Sequence, residues 1–119
     1  MPLPPTLEQA TRKAGVVWLA LDGGTPQLVW HLWHEGCLWV ISGGLEQQLP
    51  GSHNATRAAV TVRGKDIQVW EGDVTRIAPA DPEWSSVVAL LHDRRLNAPD
   101  GEAQPERWAR ESLLLRISP

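Results

Sequence analysis

A chain of 119 residues with 42% hydrophobic and 21% charged residues is long enough for one packed domain and too short for two. Its net charge of -3 and pI near 5.7 argue against nucleic acid as the main partner, because phosphate backbones select basic surfaces. A single cysteine, Cys37, excludes an internal disulfide and a multi-cysteine metal centre; on a strand it reads as a small buried hydrophobe.

No segment is apolar enough to span a bilayer, and the start, MPLPPTLEQATRK, lacks the charged and apolar regions of a secretory leader. A cytoplasmic location is expected. Asn54-Ala55-Thr56 is then a chance match to a glycosylation acceptor.

Thr6-Leu7-Glu8-Gln9 has the form of a capping box, with Thr6 as N-cap. Leu7, Ala10 and Ala14 share a helical face, and Gly15 ends the helix. Val16 to Leu21 reads as the first strand, and Asp22 to Pro26 as turn material.

Pro26 to Gly44, PQLVWHLWHEGCLWVISGG, is a hairpin: two strand-like runs joined at His34-Glu35-Gly36. Three of the seven tryptophans fall in it, and its first run is apolar on both faces. A strand covered on both sides belongs in a barrel wall packed by helices, or under a dimer interface. The Ser42-Gly43-Gly44 exit brings small residues to a strand end, where a ligand can approach the backbone.

Leu45 to Thr56 is a polar connection. Ala58 to Val62 alternates as a strand that runs into Arg63, and Gly64-Lys65-Asp66 turns the chain. Ile67 to Ile77 is a further strand whose parity slips, for which a bulge at Gly72 would account. Asp81-Pro82-Glu83 opens a helix with Trp84, Val87, Val88 and Leu91 on its buried face. Asn97 to Pro105 is expected as a loop, Pro105 to Arg110 as a helical turn, and Ser112 to Ile117 as the last strand. Six antiparallel strands with two helices predict a mainly β, closed or split barrel, one domain over residues 1–119.

The candidate chemistry is sparse. His31 and His34 stand three apart, so a strand points them to opposite faces and no metal site is expected. Ser42 lies outside any G-x-S-x-G context, and no catalytic residue is assigned. Arg63 and Lys65 flank a strand-end glycine, with Arg57 upstream. Cations so placed either hold a phosphate or decorate a solvated hairpin tip. Ser42, Gly43 and Gly44 would add a hydroxyl and backbone donors to the same phosphate.

The element order, the run Pro26 to Ser42 and the run Val60-Thr61-Val62-Arg63-Gly64-Lys65-Asp66 together resemble the pyridoxamine 5'-phosphate oxidase-like, flavin-binding split-barrel family. The resemblance extends from Thr6 to Ile117. It implies a homodimer of six-stranded split barrels with FMN in grooves at the dimer interface. Trp30, His31 and Trp33 would line the isoalloxazine, and Ser42 would meet the phosphate.

Where the family places a Ser and a Lys or Arg after that strand, this chain has Gly43-Gly44-Leu45-Glu46-Gln47-Gln48, without a cation. Either Arg57, Arg63 and Lys65 substitute, or FMN is held weakly or not at all. The family also includes members using a deazaflavin coenzyme or binding haem-derived pigments. The resemblance thus implies an FMN-dependent oxidoreductase of unknown substrate, or a non-catalytic dimer holding a ligand or another cofactor. Oxidation of pyridoxamine phosphate itself is not expected, since a second set of phosphate-binding cations is lacking.

Overall fold

The computed structural model describes residues 2–44, 46–94 and 103–119. The expected loop from Asn97 to Pro105 therefore lies largely outside the described residues.

Helix α1 (Pro5–Lys13) opens one residue before the expected capping box. Pro5 at the first helical position supplies a preset φ, and Thr6 makes no cap bond. The strands β1 (Val16–Leu21), β2 (Gln27–Trp30), β3 (Leu32–His34), β4 (Cys37–Ser42), β5 (Arg57–Arg63) and β6 (Ile67–Ile77) follow. Helices α2 (Pro82–Arg94) and α3 (Gln104–Glu111) then precede β7 (Leu113–Ser118).

All pairings are antiparallel, in the order β2-β1-β5-β6-β7-β4-β3. Among the described residues the strands number seven rather than six because the first hairpin strand breaks at His31. Its first half pairs with β1 and its second with β4. β2 and β3 are thus one chain path joining the two ends of the sheet, which curls into a barrel with its split at His31. Gln47 bridges the split: its side chain bonds the Trp30 N–H at 3.0 Å, the Trp30 carbonyl at 3.0 Å and the Ile41 carbonyl at 3.1 Å. Backbone groups cut from the ladder are thereby satisfied.

The hairpin turn fits its sequence. Glu35 and Gly36 both have positive φ, 50° and 74°, between the paired His34 and Cys37, as a two-residue primed turn requires.

The bulge expected at Gly72 is absent. The β5–β6 register runs unbroken from Arg57↔Asp73 to Arg63↔Ile67. Val69 faces outward, Trp70 and Val74 face inward, and Ile77 is buried under the helices. Gly72 instead marks the point where β6 crosses close to β7: a Cβ there would lie 2.6 Å from the Ser118 carbonyl oxygen.

Alternation along the strands separates two cores. Val17, Leu19, Val29, Leu38, Val40, Val60, Val62, Trp70 and Ile117 fill the barrel, with Leu7 and Ala10 of α1 and Ala14 at its C-cap packed against them. Trp39, Ile41, Ile77 and Leu114 point outward and are covered by Val87, Val88 and Leu91 of α2 and Trp108 of α3. Asp81 caps α2 by accepting the Glu83 N–H at 2.9 Å. Trp84, expected in this core, is only half-buried at its edge. Cys37 is likewise half-buried, 3.4 Å from the Ser118 hydroxyl. No helix of the described residues is long and apolar enough to cross a membrane.

Candidate functional site

The barrel's outer wall differs around its circumference. Over β3, β4 and β7 it carries α2 and α3. Over β1, the start of β2, β5 and the first half of β6, none of the core helices covers it. There Val16, Leu28, Ile67 and Val69 stand 48–66% exposed. Trp18, on the same outward parity as Val16, pairs with Leu28 and Thr61 in the neighbouring strands.

A groove of about 330 Å³ opens on this face, lined by Trp18, Pro26, Thr61, Arg63 and Ile67. The Arg63 guanidinium lies 5.7 Å from the Trp18 ring centroid. That stacking holds a cation beside an apolar floor.

A second cleft, of about 250 Å³, lies where β4 ends and β7 begins. Its lining includes Ser42, Gly43, Ser52, His53, Arg110, Glu111 and Ser112. Ser42 is buried, and its hydroxyl is already engaged, 2.8 Å from the Ser52 hydroxyl and accepting the Leu49 N–H at 3.3 Å. Gly43 and Gly44 have φ of 96° and 62° and run against the junction of α3 and β7. A Cβ on Gly44 would come within 3.1 Å of Glu111 Cβ and Ser112 Oγ, so close packing accounts for the glycine.

The hairpin residues singled out from the sequence are dispersed. Trp30 packs outward on Trp108, centroids 6.3 Å apart. His31 is buried at the split, its Nε2 3.0 Å from the Thr11 carbonyl of α1. Trp33 turns to the α1 side, donating to Glu8 Oε1 at 3.2 Å and meeting Trp70 edge-on at 6.0 Å.

The three cations separate as well. Arg57 pairs with Asp73 at 2.8 Å at one end of β5, six residues from Arg63 and so roughly 20 Å away. Lys65 is exposed in the turn beside Arg63. Ser42 lies on β4, across the split from Trp30 and not on a strand beside β5.

Sequence reasoning missed a buried polar centre. Glu46, the acid at the position where a cation was sought, turns inward to face Arg107 at 4.0 Å, both side chains almost fully buried. No hydropathy pattern announces such a pair, because its partners lie 61 positions apart. Among the described residues no group of three His, Cys, Asp or Glu side chains is placed to hold a metal.

No protein-family model matches the sequence, and no curated protein does. Solved structures do match the fold. The haem storage protein HutZ from Vibrio cholerae superposes with a TM-score of 0.67 at 12% identity, covering 100% of this chain and 91% of that one. A conserved hypothetical protein, Rv2991, from Mycobacterium tuberculosis gives 0.66 at 15%, covering 98% and 80%. An F420 reductase gives 0.61 at 21%, covering 98% and 95%. Strand order, helix placement and these superpositions together show a split-barrel fold.

Proposed function

We propose that the chain acts as a homodimer that binds a planar, anionic redox cofactor, FMN or a deazaflavin coenzyme, against its bare outer face, and serves as an oxidoreductase through it. The observation that carries this reading is the groove in which Arg63 lies over Trp18 beside Ile67. Trp18, Pro26 and Ile67 offer an apolar surface to a ring system, and Arg63 with neighbouring Lys65 offers charge to a phosphate tail. A second copy seated on Val16, Leu28 and Val69 would close the groove from water.

The bound cofactor would supply the electron transfer; the protein's part is shape, exclusion of water and charge. The groove's polar lining is Thr61 and Arg63, neither an acid–base group at neutral pH. That same fact supports a second reading, in which the dimer holds a cofactor or haem-derived pigment without turning it over; a haem storage protein among the fold's neighbours agrees with it.

Tryptophan fluorescence tests the proposal. FMN, the deazaflavin coenzyme and haemin are titrated into the purified protein, then FMN and riboflavin into Arg63→Ala with Lys65→Ala. Saturable quenching is expected, with FMN weakened at least tenfold while riboflavin changes little, since each charge-assisted bond contributes roughly 1.5–3 kcal/mol. Equal effects on FMN and riboflavin would remove Arg63 and Lys65 from the site. Reduction of the bound cofactor by NAD(P)H separates the two readings.

A further inference from the structure

The cleft between the end of β4 and the start of β7 is a different kind of place from the groove. It shares no lining residue with that groove and is lined mainly by polar groups. Three titratable side chains border it: His53 from the connection after β4, and Arg110 and Glu111 from the last turn of α3. All three are exposed, and none hydrogen-bonds or ion-pairs with another described residue. Glu111 is held against Gly44, its Oε2 3.3 Å from where a Cβ would stand. Opposite charges thus border one cleft without neutralising each other.

We infer that this cleft binds a small zwitterion of the α-amino acid type. Arg110 and His53 receive the carboxylate; Glu111 receives the ammonium. The charge pattern decides against a free phosphate. A dianion would meet the Glu111 carboxylate and the negative end of α3, both of which favour a cation. An ammonium gains from both. The polar floor suits a short side chain: Ser42 and Ser52 bond each other and Leu49, while the Ser112 hydroxyl donates to the Gly43 carbonyl at 3.2 Å. A volume of about 250 Å³ falls below the usual drug-sized pocket and fits a ligand of a few heavy atoms. The inference is independent of the cofactor groove.

The test is calorimetric titration of the whole protein with glycine and L-serine, and in parallel with acetate, glycine methyl ester and inorganic phosphate. Saturable binding of glycine or serine, at least tenfold tighter than acetate or the ester, is expected. Arg110→Gln and Glu111→Gln should each weaken amino-acid binding at least tenfold, with unchanged circular dichroism and unchanged FMN titration. Phosphate binding tighter than glycine, and tightened further by Glu111→Gln, would overturn the zwitterion in favour of an anion site. Absence of binding by every probe would overturn the site altogether.

Discussion

Two stretches of the same barrel wall have been treated differently. Over β3, β4 and β7, outward residues Trp39, Ile41 and Leu114 are buried beneath α2 and α3. Over β1, the start of β2, β5 and the first half of β6, outward residues Val16, Leu28, Ile67 and Val69 are just as apolar and remain largely exposed. Strand propensity alone explains neither, since both stretches are β-branched and aromatic. Apolar area left uncovered costs roughly 25 cal/mol per Å², so a contiguous patch of this kind marks a surface meant for something else. The covered half carries the fold; the bare half is where association and cofactor binding are proposed.

A paired substitution of one residue type sharpens that contrast most. Trp39→Ala, in the covered half, should cost about 3–5 kcal/mol in urea unfolding. Trp18→Ala, on the bare half, should cost less than about 1.5 kcal/mol when measured on monomer. Equal losses would show the two faces to be energetically alike.

The buried polar centre belongs to the covered half. Glu46→Gln leaves the Arg107 guanidinium buried opposite a neutral group and should cost about 3 kcal/mol. A loss under about 0.5 kcal/mol would mean the pair contributes nothing to docking α3.

The smallest effect lies at the barrel's rim. Asp22 accepts the backbone N–H groups of Arg57 and Thr56, both at 3.0 Å, and these hold its carboxyl below the ordinary value of 3.8. A depressed folded value means its contribution is present above the unfolded pKa and lost as pH falls through the folded one. Asp22→Asn should therefore be less stable than the parent at pH 7, with the gap closing below about pH 4. A gap independent of pH would contradict this.

Much of the scaffold was legible. The two-residue turn at Glu35-Gly36, the Asp81 cap and the alternation of Ala58, Val60 and Val62 are local signals read over a few residues. The split at His31 was not, because only pairing with two different strands, β1 and β4, breaks an otherwise continuous apolar run. Gly72 misled for the same reason: its meaning is a close approach to Ser118, 46 positions away.

The site was legible in parts. Arg63 lines the groove with Lys65 exposed in the turn beside it, whereas Ser42, grouped with them by the sequence, lines the separate cleft at the end of β4. Trp18 drew no special notice as a ligand surface, since a tryptophan in a strand looks the same whether a helix covers it or not.

The most direct measurement is sedimentation equilibrium of the native chain beside Val69→Asp, which places a charge in the middle of the bare face. A dimer is expected for the native chain and a monomer for Val69→Asp, with far-ultraviolet circular dichroism and unfolding midpoint of the monomer near those of a folded barrel. A native chain that stays monomeric at all concentrations, or a Val69→Asp variant that remains dimeric, would contradict it.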